Sequence, residues 1–556
     1  MRAHALILLL DHGGEGGVRT LARLHVCWFS KPVPSTTWVL LRVPVDYTIA
    51  GGMEVQVFNP DPESEQILEY MLRSLLKGLN MKVHFSDYLT RIAPGIHKLI
   101  SLLEEHYDYV SVLSSDSVGF QASIMQRSKQ ISHQTLTTER GNTVRVCRNG
   151  LYSEYAFNDF DPEHPEVMEE KICRNLDRQL ELLQKTGTAV YQTPVMEEEP
   201  LQFSAEMETE EMPENCDLEK LVKFFSKLSE EGVSHPDIVE CVANASSTHI
   251  SKMFMSQKRD MRQSYVISEG MVAAIGMRDG KSVQGYSAVS GRKGPEIFRG
   301  MDQCLKEALK QADELLEAET VKPGMYDVIL SPEVSGLIAH EAFGHGVEMD
   351  MFVKNRALGK DNIGKRVGSD LVTMHEGAAV LEEVSSYAFD DEGTLAGDVV
   401  EIDHGILKTG VCDVLSALRL HTKPTGNGKR QNFEHKVYSR MTNTIFEGGN
   451  DSMEDMIHSI SHGYLLSGMY SGMEDPKHWG IQCIVQRGYE IRDGKLTGKV
   501  CGPIVLTGYV PDLLGSISMA AHDVQAFGSG YCGKGYKEFV KVSDGGPYLK
   551  AKARLG

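Results

Sequence analysis

The sequence lacks the features that mark several specialised classes of protein. Its ten cysteines are scattered through 556 residues without a CxxC pair, which excludes a disulfide-dense scaffold and favours free thiols. No apolar run approaches the roughly 20 residues that a membrane helix needs. The apolar run near the start ends at Asp11-His12 and is too short for a signal peptide. We therefore expect a cytoplasmic protein without a membrane partner.

Positive charge is also scarce relative to negative charge. The chain has 57 Lys and Arg residues against 77 Asp and Glu residues, which gives a formal net charge of -20. Nucleic-acid binding depends on clustered cations that contact phosphates, so we expect no nucleic-acid partner. The 41% of hydrophobic residues is typical of a globular protein with a full core.

The chain divides into three parts. Residues 1–60 are patchy and Gly-rich, and we interpret them as an atypical N-terminal extension, or alternatively as one or two extra strands packed on the first domain. Because Met53 would also serve as a start, the sequence does not show whether they belong to the protein. Residues 61–320 mix helical and strand patterns and predict an N-terminal α+β domain. Pro323-Gly324 breaks the chain, and residues 321–556 predict a β-rich C-terminal domain. Blocks of helices beside tightly turned strands indicate an α+β fold overall.

Local patterns predict the elements of these domains. Hairpins are expected where Asn149-Gly150 and Asp279-Gly280 separate β-prone runs, and also in "DVVEIDHGILKTGV" and "YEIRDGKLTGKV". The acidic stretch "MEEEPLQFSAEMETEEMPEN" is predicted to be an exposed loop or linker. Apolar residues at helical spacing predict amphipathic helices at 65–79, 167–186, 217–231 and 298–318.

The segment "LIAHEAFGHGVEMD" carries the clearest chemical signal. The strand-like "DVIL" before it leads into a helix through Ser331, a favoured N-cap residue, and Pro332, which fits the first helical position. His340 is followed by Glu341, and a second histidine, His345, lies five positions after the first. Histidines beside a glutamate are typical of zinc hydrolases, where the histidines bind the metal and the glutamate acts as a base.

A regular helix would not bring the two histidines together. Five residues at about 100° each place His345 about 140° away from His340 around the helix axis. Gly344 and Gly346 flank His345, and glycine lets a helix widen or unwind. We therefore expect an irregular helix near Gly344, either a π-type bulge or a local unwinding, if both imidazoles bind one ion.

A catalytic zinc site also needs a third protein ligand. Spacing does not choose among the candidates, which are His375, Glu376, Glu382, Glu348, His522 and Cys532. A separate acidic cluster, Asp390-Asp391-Glu392, is a second candidate cation site, although such clusters are more often solvated turns.

Five segments of the sequence carry a family resemblance. "SGLIAHEAFGHGVEMD", "FDDEGTLAGD", "PTGNGKRQNF", "RMTNT" and "GSGYCGKGY" occur in this order. Together they resemble the TldD branch of the TldD/PmbA family of metallopeptidases, from about residue 66 to the end and most strongly after Met325. The HExxxH spacing is typical of that branch and is absent from its non-catalytic sister branch.

The resemblance implies a role for each motif residue. Zinc (Zn2+) would be held by His340, His345 and Cys532, the cysteine of the Gly-flanked "GYCGKG" segment, and Glu341 would be the catalytic glutamate. The β-rich domain at 321–556 would then be the catalytic one. The resemblance also implies peptide substrates in extended form and a dimer, formed either with a second copy of the chain or with the non-catalytic sister protein.

These observations support two hypotheses about function. The first is a zinc-dependent peptidase that hydrolyses unfolded peptides or exposed tails, with water activated by Glu341. The alternative is a non-enzymatic scaffold that binds peptides or regulates a partner and whose zinc is structural. An intact Glu341 favours the enzyme, because a structural site needs no base beside its ligands. The sequence does not distinguish endopeptidase from aminopeptidase action.

Overall fold

The chain packs into two units, Met1–Asn80 and Met81–Gly556. In the first unit, strands Pro44–Ile49 and Met53–Phe58 pair antiparallel, and the helix predicted at 65–79 lies outside the described residues. The domain boundaries predicted after residues 60 and 320 stay predictions. The computed structural model describes residues 81–126, 139–185, 191–535 and 538–556, together with strands Pro44–Ile49, Met53–Phe58 and Lys129–Ser132.

The first half of the second unit is built on one sheet with long strands. Its hairpins turn at Asn149-Gly150 and Asp279-Gly280, as predicted, and all four residues have positive φ, which two-residue type I′ turns require. The neighbouring strands pair antiparallel in the order Lys281–Gly291, Arg259–Arg278, Ile238–Ser256, Tyr109–Ile124, Glu139–Arg148 and Leu151–Phe157, with Lys129–Ser132 beside Tyr109–Ile124.

The acidic stretch predicted as an exposed loop is in part a strand of this sheet. Leu201–Glu206 pairs parallel with Arg259–Arg278. Its residues alternate between exposed and half-buried positions, and Phe203 packs against Phe389, with ring centroids 6.4 Å apart. The prediction was wrong because the surrounding glutamates obscured the alternation that a half-buried strand shows.

Helices cover one face of this sheet. Residues two apart on a strand share a face, so Val112 and Phe120 both face the helices, each contributing to the core under a different helix pair. Leu113 points to the opposite face and packs with Phe389 of the second half. The helices are Asp87–Leu103 and Pro165–Lys185 at one end, and Leu218–Val233 and Met301–Glu317 at the other; the last three match the predicted helices.

The second half contains two sheets with the motif helix packed between their strands. In the first sheet, Gly324–Leu330, His462–Asp475, Gly480–Arg492, Ile504–Tyr509 and Leu549–Leu555 pair in this order, and the last pairs back with the first; Lys495–Cys501 and Met519–Ala520 pair alongside. The second sheet has the order Ile406–Leu407, Val399–Asp403, Met374–Glu376, Asn443–Phe446, Ser543–Gly546 and Gln525–Phe527. The predicted hairpins turn at His404-Gly405 and Asp493-Gly494, all at positive φ. The α+β class with a β-rich C-terminal part is thus confirmed.

The motif helix, Pro332–Ala339, packs against strands of both sheets. A Cβ on Gly336 would lie 2.5 Å from the backbone nitrogen of Gly545, so the helix reaches this strand only because position 336 has no side chain. The remaining short α-helices of the described part are Met349–Val353, Val414–Leu420, Met453–His458 and Val510–Gly515, and its 3₁₀ helices outside the motif are Pro213–Asn215, Pro295–Gly300 and Leu358–Asn362. Three short ribbons pair Met81–Lys82 with Glu208–Thr209, Gly428–Lys429 with Tyr438–Ser439 and Tyr531–Lys534 with Glu538–Lys541. None of the helices in the described residues is long and apolar enough to cross a membrane.

The acidic cluster Asp390-Asp391-Glu392 joins the two halves of this unit. All three side chains are buried, so the cluster is not a solvated turn. Asp391 forms an ion pair with Lys252, and Glu392 forms one with Arg145, both from the first half. Asp390 accepts the amide of Gly428 at 2.8 Å. The carboxylates therefore bind donors of the protein itself, and this cluster is not a second cation site.

Candidate metal centre

The motif helix changes its hydrogen-bond pattern where the histidines lie. Pro332–Ala339 is α-helical, His340–Gly344 forms a π-helical turn, and His345–Val347 is a 3₁₀ turn. The amide of His345 donates to the carbonyl of His340, five residues earlier. The wider turn brings the imidazole centroids to 5.1 Å, with the rings at 87° to each other. The predicted irregularity near Gly344 is confirmed.

Glycine at position 344 allows a close approach of Met441. Its φ is −59°, an ordinary value for any residue. A Cβ there, however, would lie 2.1 Å from Sδ of Met441. Met441 is fully buried and belongs to the same apolar cluster as Cys532. Gly344 therefore lets the motif pack directly onto the residues beneath Cys532.

Cys532 reaches the histidines from a separate ribbon, Tyr531–Lys534 with Glu538–Lys541. Its Sγ lies 3.4 Å from Nε2 of His345, and one ligand atom from each of His340, His345 and Cys532 lies within 4.8 Å of the others. The buried Arg440 donates to the carbonyl of Cys532 and holds the ribbon in place. Of the six residues left open as a third ligand, the structure brings Cys532 to both histidines.

The other five candidates have different partners. His375 lies 2.7 Å from Asp398 and 2.8 Å from Glu447, Glu376 accepts from Thr442 and Thr444, Glu382 pairs with Arg292 at 2.7 Å, His522 pairs with Asp523 at 2.9 Å, and Glu348 contacts His345. Of these, Glu348 alone contacts a motif histidine directly.

Glu348 orients His345 instead of occupying the ligand position. Its Oε2 is 3.1 Å from Nδ1 of His345 and 3.0 Å from Nζ of Lys534. Burial raises the pKa of Glu348, but Lys534 and His345 together lower it to about 2. An anionic acceptor on Nδ1 fixes the tautomer and directs Nε2 toward Cys532.

The charges of the cluster favour an ionised thiol. Burial raises the pKa of Cys532, but the imidazoles of His345 and His340 outweigh it and lower that pKa well below its usual value. Burial lowers the pKa of His345, whereas Cys532 and Glu348 raise it well above its usual value. A thiolate is the form of cysteine that binds metal ions.

The residues present fit a zinc ion. Tetrahedral zinc with N and S ligands places its donor atoms roughly 3.3–3.8 Å apart, and Sγ of Cys532 and Nε2 of His345 are 3.4 Å apart. Nδ1 of His340 is buried and has no hydrogen-bond partner in the described residues. Two imidazoles and one thiolate are also the donors that zinc prefers.

The cluster opens into a cavity of about 610 Å³. Glu341 lines this cavity and is backed by strand His462–Asp475, where a Cβ on Gly472 would lie 2.5 Å from Cγ of Glu341. Glu474, two residues along this strand, also lines the cavity. No pattern in the sequence indicates Glu474, because no spacing relates it to the motif and only strand packing brings it there.

Two further groups of potential metal ligands occur in the described part of the chain, and both differ from the motif cluster. In the first, His249 already uses both ring nitrogens, at 2.6 Å from Glu214 and 3.0 Å from the carbonyl of His84. In the second, burial raises the pKa of Cys173, so its thiol is not ionised at neutral pH. The groups are His84, Glu214 and His249, and His106, Glu169 and Cys173.

Comparison with known proteins defines the class to which the chain belongs. Residues 323–553 match the profile described as the PmbA/TldA metallopeptidase C-terminal domain. Together with the relatives named TldD homologs, this match assigns residues 323–553 to the TldD/PmbA family of metallopeptidases. The resemblance inferred from the motifs is thereby confirmed.

Individual relatives extend the likeness beyond this domain. A metalloprotease of Synechocystis sp. is 28% identical over 469 residues, which cover 84% of this chain and 98% of the relative. A zinc metalloprotease TldD homolog of Saccharolobus solfataricus is 28% identical over 61% of this chain and 79% of its own length. The crystal structure of TldE from Thermococcus kodakarensis matches with a TM-score of 0.65 over 83% of this chain and 99% of that chain; at 16% identity it shows a shared fold.

Proposed function

We propose that this chain is a zinc-dependent peptidase of the HExxxH type. The observation that carries the proposal is the convergence of His340, His345 and Cys532 in one cavity with Glu341. Three protein ligands that leave a position open are characteristic of catalytic zinc. The name of the S. solfataricus relative supports zinc as the metal.

Each residue of the site has a distinct part in this proposal. His340, His345 and Cys532 hold the ion, which, when bound, supplies Lewis acidity toward water and the peptide carbonyl. Glu341 accepts the proton of the attacking water and later donates it to the leaving amine. Because a thiolate donates more charge than an imidazole, we expect a weaker Lewis acid and slow turnover.

The burial of the site favours unfolded peptides or exposed tails as substrates. Glu341 and Cys532 are only 8% and 3% exposed, at the wall of the cavity. A peptide bond inside a folded domain does not reach such groups, whereas an extended chain can enter the cavity. Whether cleavage starts from an end or within the chain depends on what else the cavity binds.

We further propose that the chain works as a dimer in the cytoplasm. The partner is a second copy or a non-catalytic sister protein of the same family, and the shared fold with a TldE supports the second arrangement. The cytoplasmic location is supported by the cysteines, since each one in the described residues is free, as in a reducing compartment.

Replacement of Glu341 by glutamine tests the proposed mechanism. The amide is similar in size but cannot accept a proton. Glu341→Gln should therefore keep its fold and its zinc, while the rate of hydrolysis falls by a factor of about 10²–10⁴. Hydrolysis of a broad library of unfolded peptides is measured with zinc and with a sister protein present. Glu382→Gln, an exposed glutamate paired with Arg292, is the matched control.

Two outcomes would contradict the mechanism. If wild type and Glu341→Gln are equally inert, the chain is the non-enzymatic scaffold with structural zinc. If both are equally active, a group other than Glu341 is the base.

A further inference from the structure

We infer that Glu474 forms a subsite for an ammonium group of the substrate beside the proposed metal centre. The inference deepens the proposed function and rests on it for the identity of the ligand as a peptide. Glu474 belongs to strand His462–Asp475 and lines the cavity that also contains Glu341 and Cys532.

The strand places Glu474 next to the catalytic motif. Residues two apart on a strand point to the same side, and Gly472 lies directly against the side chain of Glu341. Glu474 continues along this side to the end of the motif, where a Cβ on Gly346 would lie 3.2 Å from its Oε1. Its carboxyl group is thus adjacent to the segment that carries His345.

The carboxyl group of Glu474 has no partner within the described residues. Both of its oxygens are buried, and neither accepts or donates a hydrogen bond there. Such an arrangement costs free energy unless a ligand supplies the missing donors. Glu348, in the same cavity, is by contrast bound by His345 and Lys534.

The charges around Glu474 select a cation as that ligand. Glu341, Glu348 and Asp475 add negative potential at its position, and the imidazole of His345, a proposed metal ligand, opposes them. The cations of the cavity do not neutralise it: Lys534 binds Glu348 and Asp350, Lys354 binds Asp350 at 2.8 Å, and Arg356, which also lines the cavity, forms no hydrogen bond with Glu474. An ammonium group supplies both the positive charge and the donors that the buried carboxyl lacks.

A peptide offers an ammonium group from two sources. A free amino terminus held by Glu474 would place the first peptide bonds of the substrate near Glu341 and make the chain an aminopeptidase. A lysine side chain held there would instead give a preference for lysine near the cleaved bond. The chemistry at Glu474 is the same in both cases, so the peptides used in the test must separate them.

Peptide binding measured without turnover tests the subsite. The zinc-loaded full chain carrying Glu341→Gln is titrated with four versions of one heptapeptide of small residues. These have a free amino terminus, an acetylated one, an acetylated one with a single lysine, and an acetylated one with norleucine at that position. The same titrations are made after adding Glu474→Gln. Glu382→Gln is the matched control, because this carboxylate is paired with Arg292 and does not line the cavity.

We expect Glu474→Gln to weaken binding of the ammonium-bearing peptide by roughly tenfold to a hundredfold, the worth of a charged hydrogen bond. Binding of its neutral twin should not change, and zinc content should stay the same. A loss confined to the free amino terminus assigns the aminopeptidase arrangement, and a loss confined to lysine assigns the side-chain subsite. Equal binding of charged and neutral twins, an equal loss for all four, or no binding overturns the inference. Because no hydrolysis is measured, failure of the proposed activity would be seen separately.

Discussion

Replacing Gly344 with alanine perturbs the proposed metal centre without touching a ligand. The new Cβ would stand 2.1 Å from Sδ of Met441, whereas unbonded carbon and sulfur atoms need well over 3 Å. Met441 is fully buried between the motif and the ribbon of Cys532. The side chain of Met441, the π turn or the ribbon must therefore move, and the burial of Met441 leaves its side chain little room to do so.

The size of the effect follows from this overlap. An extra methyl group in a closely packed core costs about 1–3 kcal/mol. If the strain falls on the apposition of His345 and Cys532, zinc affinity should drop by roughly 5- to 150-fold, since about 1.4 kcal/mol is a factor of ten. Alanine has no other disadvantage here, because φ at this position is ordinary.

Competition with a chromophoric chelator measures the zinc affinity of Gly344→Ala directly. The matched control is Gly515→Ala, at the end of helix Val510–Gly515, where a Cβ would meet no atom within 4 Å. The double variant Gly344→Ala/Met441→Ala removes the obstructing sulfur and should recover much of the affinity, although it loses packing of its own. Wild-type affinity in Gly344→Ala would refute the steric reasoning, and absence of recovery in the double variant would assign the loss to the backbone of the turn.

Three further measurements probe the site and the fold. Cys532→Ala should lose the near-stoichiometric zinc expected of the wild type, and zinc retained at undiminished affinity would remove this cysteine from the site. Zinc binding should release protons, because the pKa values of His340 and His345 are raised in the metal-free site and zinc needs neutral imidazole. Zinc affinity should therefore fall as the pH is lowered through those raised pKa values, and an indicator titration showing no proton uptake or release would contradict this. Arg145→Met leaves Glu392 buried without its cation and should lower the free energy of unfolding by about 3–5 kcal/mol, whereas the exposed Arg299→Met should cost at most about 1 kcal/mol in the same urea titration.

Local patterns predicted most of the elements because local forces determine them. The turns at Asn149-Gly150 and Asp279-Gly280 need residues that tolerate positive φ, and the sequence places such residues there. The helix Met301–Glu317 is likewise visible in its apolar spacing, since one side of it is buried. Elements that depend on partners far along the chain were harder to predict.

The two acidic segments show why elements with distant partners are hard to predict from sequence. Composition alone marks glutamate-rich stretches as exposed, yet Leu201–Glu206 joins a sheet, and Asp390-Asp391-Glu392 is buried against the other half. The cations that stabilise this cluster, Arg145 and Lys252, lie more than a hundred residues earlier. No local pattern in the sequence predicts ion pairs between residues so far apart.

The sequence pattern predicted the metal-binding motif, but it did not predict the residues that pack around the motif. The five-residue spacing of His340 and His345 implied an irregular turn, and the π turn confirms this. Spacing left six third ligands open, and the family resemblance, not geometry, singled out Cys532. Glu474 gave no signal, and Met441 stood only within the resemblance segment "RMTNT", because the packing of distant strands is what brings both residues to the motif.

The extra residue of HExxxH couples the motif to the ribbon of Cys532. In an α-helix, histidines four apart would meet without help from the rest of the protein. Here the π turn sets His345 against Cys532 and turns position 344 toward Met441, which packs in the same cluster as that cysteine. The ribbon is in turn held by Arg440 at Cys532 and by Lys534 at Glu348, the residue that orients His345. A displacement of the ribbon would therefore move the proposed third ligand and the support of the second histidine together, so metal affinity should respond to changes on either side of this contact.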